Sequence, residues 1–335
     1  MTNDVQTKAA DQMTKEEISE KYNRGKKIID FVGHKKIFFF ISIAIIVIGI
    51  VCNIIFGTTL DIQFSGGAQL KFSYTGDVDQ TELYDFIQNK TEDKITTTFS
   101  TDLVGDTGNT VTVQFAGNNS VATEIQQNLE KELQDKYPEN NFINLESTSV
   151  DASMGLNFLL KCLAAVVIAS VLMVLYVTVR FKKIGGLSAG VMALVALFHD
   201  IAMIYFMYVI FQMPIDSNFM AVVLMILGYS LNDTIVIYDR VREERKNLGR
   251  KVDTGLVFNL SASKTIKRTI MTSVTTLSAI LIVYVVAVAF NITSVQGFAL
   301  PMMIGVVSGC YSSICIAGPL WVMWQNRKAS KKAAK

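Results

Sequence analysis

Charge is scarce in this sequence. Asp, Glu, Lys and Arg make up 18% of its 335 residues, where a soluble domain carries about 25%. The deficit is uneven: charges crowd the N-terminal segment, 61–151, 239–268 and the last positions. The long uncharged stretches between them are the pattern of membrane spans, not of one large soluble core. Histidine is scarcer still, with only His34 and His199, which argues against hydrolytic chemistry. There is no Gly-x-x-x-x-Gly-Lys-Ser/Thr phosphate cradle and no His-Glu-x-x-His zinc motif. There is no Gly-x-Ser-x-Gly elbow either. A P-loop ATPase is therefore excluded, no metal or cofactor is expected, and any energy must come from a gradient or a partner. No basic, aromatic-studded patch suggests nucleic acid. The four cysteines, Cys52, Cys162, Cys310 and Cys315, all fall in apolar runs. They imply neither a disulfide framework nor a zinc site and read as small apolar packing residues.

What the sequence does have is apolar runs of spanning length, about 20 residues each. Residues 1–36 are polar and lysine-rich, too long and charged for a cleaved signal peptide, and no small-residue cleavage site follows. The run 37–56 is therefore read as a retained first span. The others are placed at 155–179, 186–211, 217–238, 269–290 and 296–324, with a basic, amphipathic loop at 239–268 and a basic tail at 325–335. Lysines and arginines gather on one set of flanks (Lys35, Lys36, Arg180, Lys182, Lys183, Arg240 to Lys267, Arg327 to Lys332), while the opposite short loops have none. By the positive-inside rule both termini are cytoplasmic, and the segment 57–152 faces outward.

That segment holds 16 Asp plus Glu against 5 Lys, a balance of −11. It reads as two β-α-β halves. A strand at 60–74 is interrupted by Gly66-Gly67. A helix follows at 80–90, then paired strands at 95–100 and 110–115 around a turn at 105–108. A second helix at 120–137 and a strand at 142–149 complete it. The order suggests a ferredoxin-like split fold. Its carboxylates are scattered and read as surface charge.

Ionisable groups at membrane depth are costly and mark pathways. The fourth span carries Ser230, Asn232 and Asp233, with Asp233 six residues before Asp239. Ser230, Asp233, Ile237 and Arg240 share a face. Asp233 is read either as an ion-titrating carboxylate or as one satisfied by Asn232, Thr234 or a neighbouring helix. The fifth span begins with Arg268 and, on the same face, Thr272. Arg268 either meets Asp233 across the helix pair or snorkels to the interface. His199-Asp200 lies about 20 Å into the third span, either a proton relay or a buried pair bonded to backbone.

The residues also carry a resemblance. Gly228-Tyr-Ser-Leu-Asn-Asp-Thr-Ile-Val-Ile-Tyr-Asp-Arg-Val-Arg-Glu243 resembles the signature of the SecF protein-export membrane proteins, of the SecD/SecF family in the RND superfamily. Ser263-Lys-Thr-Ile-Lys-Arg-Thr-Ile-Met-Thr-Ser-Val-Thr-Thr276 is similar to that family's next span. Gly297-Phe-Ala-Leu, Gly305 and Gly309-Cys-Tyr-Ser-Ser-Ile-Cys-Ile-Ala317 are similar to its last, and Leu60-Asp-Ile-Gln-Phe-Ser-Gly-Gly67 to the entry of its outer domain. The family motif includes Gly228, Tyr229, Asp239, Arg240, Gly66 and Gly67.

The resemblance implies a polytopic α-helical membrane protein in the bacterial cytoplasmic membrane. It would have six spans, half of an RND-type transporter, plus the outer α+β domain. It implies SecD, the SecYEG channel and YajC as companions, an exported unfolded polypeptide as cargo, and H⁺ or Na⁺ as the transported ion. Asp233 and Arg268 then match residues assigned to ion transport, with Asn232, Ser230, Thr272, His199 and Asp200 along the path. The chain would not be an enzyme. A small-molecule or lipid efflux subunit is the alternative, and a scaffold for the channel is a third reading.

Overall fold

The computed structural model describes residues 15–23, 25–90, 95–101, 109–116, 123–249, 251–290 and 292–333. A short helix α1 (Lys15–Asn23) precedes an extended segment that is tied down by side chains. Asn259 accepts from the backbone N–H groups of Phe31 and Val32 (3.1 Å each). Asp30 accepts from the Gly33 N–H and the Asn259 amide, and these bonds hold its carboxyl below the usual carboxylate range. The first spanning helix, α2 (Lys35–Phe56), follows.

After α2 comes a single turn, α3 (Ile62–Ser65), capped by the Asp61 side chain, which accepts from the Gln63 N–H. Strand β1 (Gly67–Tyr74) then starts the domain, so the expected strand at 60–74 is a helical turn plus a strand. Helix α4 (Gln80–Lys90), strands β2 (Ile95–Thr101) and β3 (Asn109–Ala116), helix α5 (Thr123–Lys136) and strand β4 (Ile143–Val150) follow. The expected turn at 105–108 and the start of the 120–137 helix lie outside the described residues. The sheet order is β2-β3-β1-β4 and every pairing is antiparallel. Period two decides its faces. Ala68, Leu70, Phe72 and Tyr74 turn inward to Leu83 and Ile87 of α4 and to Leu129 and Leu133 of α5. Gln69, Lys71, Thr112 and Gln114 line a cavity of about 1000 Å³ shared with the turn around Asp216. Burial there pushes the Asp216 carboxyl above its ordinary value.

The remaining helices form the bundle: α6 (Ala152–Arg180), α7 (Gly186–Ile210), α8 (Ser217–Leu248), α9 (Thr254–Ala289) and α10 (Thr293–Ser312). A π-helical turn (Ser313–Ala317) runs on into α11 (Gly318–Ala333). Among the described residues six helical stretches are long and apolar enough to cross a membrane, the last being Ser294–Lys331. The central ones are α7, α8 and the last, with half or more of their apolar windows buried. In α2, α6 and α9 about a tenth or less is buried, so they present apolar surface outward.

Two boundaries differ from the sequence expectation. The segment 239–268 is not a loop: α8 continues to Leu248 and α9 begins at Thr254. At 32 and 36 residues these helices run roughly 48 and 54 Å, well beyond a hydrocarbon core of about 30 Å. Their charged ends remain helical because they bury ion pairs. The tail at 325–335 is likewise helical as far as Ala333.

Gly67 is the tightest point of the domain entry. Its φ is +132°, and a Cβ there would collide with the Phe115 carbonyl oxygen. Gly67→Ala is expected to lower stability by about 1–3 kcal/mol through backbone strain, with the clash adding to it. Thermal unfolding of the detergent-solubilised chain checks this against Gly228→Ala, where a Cβ meets nothing within 4 Å. Equal melting of the two variants would contradict it.

Candidate functional site

Three hydroxyls from two neighbouring helices converge on one carboxylate. Asp200 lies fourteen residues into α7, about 21 Å along its axis, and has no exposed surface. Ser230 of α8 donates to Asp200 Oδ2 at 2.8 Å, and Ser312 of α10 donates to the same oxygen at 2.8 Å. Ser308 of α10 donates to Oδ1 at 2.6 Å. His199 Nδ1 lies 3.3 Å from Oδ1.

Local sequence makes this approach possible. Ser308 and Ser312 are four residues apart and so share a helix face. Gly305 and Gly309 on the same helix let it close on α8. A Cβ at Gly305 would sit 2.5 Å from Ile226, and one at Gly309 would sit 3.2 Å from the Ser230 Cβ. Small residues at helix contacts are the usual means of close packing in membranes. The cluster continues into the π-helical turn. Ser313 donates to the Ser230 carbonyl at 3.2 Å, and Thr234 Oγ1 lies 3.1 Å from both that carbonyl and Ser313 Oγ. Interruptions of this kind are frequent at functional sites. His199 keeps a buried Nε2 with no hydrogen-bond partner. Its ring lies 6.0 Å from that of Tyr311, whose hydroxyl donates to the Phe38 carbonyl of α2.

Asp233 is one turn beyond Ser230 on α8. It is buried, and its Oδ2 has no hydrogen-bond partner. Arg268 sits on the facing helix α9, exposed and within Coulombic range of Asp233, but no ion pair joins them. Neither Asn232 nor Thr234 bonds the Asp233 carboxylate. Asn232 is exposed, and Thr234 serves the Ser230–Ser313 cluster. Thr272 donates to the Arg268 carbonyl at 2.8 Å, so its hydroxyl is used by its own helix. Tyr229 donates to Ser273 at 3.1 Å and ties α8 to α9. Gly228 is exposed. Asp239 pairs with Arg180 and Arg242 (3.1 and 2.9 Å). Gly66 and Gly67 lie apart from these groups, at the entry to the domain sheet.

The sequence reading missed a third buried carboxylate in the bundle. Glu244 has no exposed surface and takes Arg240 Nη2 and Lys264 Nζ on Oε1, both at 2.7 Å. It also missed Ser308, Ser312 and Ser313. Their signal was a string of small hydroxyl residues spaced four apart beside Gly305 and Gly309. Among the described residues no cluster of three or more His, Cys, Asp or Glu side chains offers a metal site.

Residues 128–327 match the family described as protein export membrane protein SecD/SecF, C-terminal. The SecF protein translocase subunit of Petrotoga mobilis is 30% identical over 310 residues, covering 91% of this chain and 99% of that one. The SecDF subunit of Bacillus subtilis is 30% identical over 91% of this chain, which spans 39% of the relative's length. The SecF subunit of Borreliella burgdorferi is 36% identical over 59% of this chain and 63% of its own. The crystal structure of SecDF, a translocon-associated membrane protein from Thermus thermophilus, is similar with a TM-score of 0.75 at 27% identity. It covers 90% of this chain and 39% of that one.

Removing one donor from a buried carboxylate costs about 1.5–3 kcal/mol. Ser308→Ala is therefore expected to lower the melting temperature of the purified chain by several degrees. Ser330→Ala, whose hydroxyl bonds only to backbone in the exposed tail, serves as the reference. Lys264→Met, which strips one partner from Glu244, is expected to destabilise by about 3–5 kcal/mol. Melting unchanged in both variants would show that these groups are solvated.

Proposed function

The chain belongs to the SecD/SecF family of protein export membrane proteins, and from that premise we propose that it serves as a SecF-like accessory subunit of the Sec translocase. With SecD, it uses the proton or sodium gradient to promote export of unfolded polypeptides across the bacterial cytoplasmic membrane. The SecYEG channel and YajC are the further partners. It moves a chain and breaks no bond, and it carries no cofactor beyond the transported ion. The names of the relatives support translocation and give the efflux reading nothing.

In this reading both termini are cytoplasmic and the sheet domain faces outward, as the basic flanks require. The strand order β2-β3-β1-β4, with one helix in each half, supports a ferredoxin-like domain.

One observation carries the ion-coupling reading: Asp233 is buried in the bundle with an oxygen that no donor satisfies. An orphaned polar group in a low dielectric is costly, and a bound ion at Asp233 would relieve that cost. Ion occupancy at Asp233 would alternate with pairing to Arg268, shifting α8 against α9. His199, Asp200 and Ser230 continue the path inward, with Asn232 and Thr272 at its edges.

The test uses the chain with its SecD-like partner in proteoliposomes. Asp233→Asn is expected to abolish gradient-stimulated export and ion conductance, by more than tenfold. Arg268→Met should reduce both while assembly with the partner persists. Gradient dependence unchanged in the two variants would refute ion coupling through these residues.

A further inference from the structure

At the basic end of the bundle, a cavity of about 1770 Å³ opens between the helical extensions of α8 and α9. Nine lysine and arginine side chains line it against two carboxylates, Asp239 and Glu243. Arg240 and Lys264 are engaged by Glu244, and Arg242 by Asp239. Arg245 donates instead to the Val252 carbonyl and the Thr254 hydroxyl. Lys26, Lys183, Lys246, Lys267 and Arg268 also line the cavity and have no carboxylate partner among the described residues. Five cations face one space, and its two carboxylates already pair with other arginines.

A concave wall of one sign focuses potential and gathers counter-ions. Ile184, Ile235 and Val236 contribute an apolar strip beside the cations. The cavity sits where the apolar part of α8 gives way to its charged end, the depth at which lipid headgroups lie. Its volume far exceeds a single inorganic phosphate, and it has charge and apolar wall together. Basic pockets between spanning helices have this chemistry when they hold anionic headgroups.

We propose that this cavity is a binding site for an anionic phospholipid. The headgroup phosphate is held by Lys183, Lys267 and Lys26, and the acyl chains leave along the apolar strip. The site is separate from the Asp200 clasp, and its existence does not depend on ion coupling or on a translocase role. Cations that would repel one another across the cleft are neutralised by the lipid, which bridges α9, the α6–α7 connection and the segment before α2.

The full chain, purified in detergent, is titrated with phosphatidylglycerol, and retained lipid is counted by native mass spectrometry. Phosphatidylcholine titrated in parallel reports nonspecific uptake, and 10 mM inorganic phosphate is added as competitor. Lys183→Gln/Lys267→Gln is expected to lower phosphatidylglycerol retention at least tenfold. Lys328→Gln/Lys331→Gln, which removes the same charge from the α11 tail, should leave it within twofold. Phosphatidylcholine retained as well as phosphatidylglycerol would overturn the proposal. So would equal losses in the two double variants, which would mean mere surface charge. Displacement by phosphate would reassign the cavity to a free anion. Export assays do not enter, so failure here leaves the translocase reading standing, and failure there leaves this one.

Discussion

A carboxylate that water does not reach must be held by donors, and the packing of this bundle follows from how Asp200 is held. Its two oxygens accept from Ser230, Ser308 and Ser312, so α7, α8 and α10 have to approach within a hydroxyl's reach of one another. That approach requires Gly305 and Gly309, where any Cβ would meet Ile226 or Ser230. Between apolar helices in lipid there is no hydrophobic drive for association. Close packing and polar bonds supply the preference instead, and here both sit at one level of the bundle. The helices outside that level, α2, α6 and α9, are peripheral and mostly turned outward.

The same helix α8 is gripped at its other end by the domain. Its N-cap is Asp216, which accepts from the Phe219 N–H. The residue before it, Ile215, pairs backbone to backbone with the segment leaving α2: Ile215 N–H donates to Thr59, and Asp61 N–H donates to Ile215. Asp61 then caps α3 and accepts from Gln114 of β3 at 2.6 Å. A continuous set of bonds thus joins the sheet to the helix that carries Ser230 and Asp233. These bonds hold α8 to the sheet at one end, as Asp200 holds it to α7 and α10 within the bundle.

Some of this was legible in sequence and some was not, for different physical reasons. Run length and hydropathy are local, so the six apolar stretches could be read directly, and so could the period-two alternation of β1. The extent of α8 and α9 could not, because a charged stretch reads as solvated. Residues 239–268 contain Glu244, Arg240 and Lys264, and only their meeting across two helices removes Glu244 from water. Asp233 stood out because its polar neighbours are adjacent in sequence. Asp200 was noticed beside His199, but its true partners lie 30, 108 and 112 residues away, and no local pattern encodes that convergence. The expected pairing of Asp233 with Arg268 required two facing helices to present both side chains to one another. Their facing was inferable, but whether Arg268 pairs or snorkels was left open by the local sequence.

The two membrane carboxylates differ in a way that assigns them different physical parts. Asp200 has hydroxyl donors on both oxygens, so both are satisfied in place and moving any of the three helices would strip donors from it. It therefore resists motion. Asp233, one turn along α8, has a buried oxygen without a donor and a cation on α9 that is near but unpaired. Fixing α8 to α7 and α10 at Asp200 leaves α9 as the neighbour whose position relative to Asp233 can change. Three bonds oppose that change: Tyr229 to Ser273 along the span, and Glu244 to Lys264 and Arg245 to Thr254 at the basic end. In the proposed mechanism α9 pivots about these bonds while Asp200 holds α8 in place.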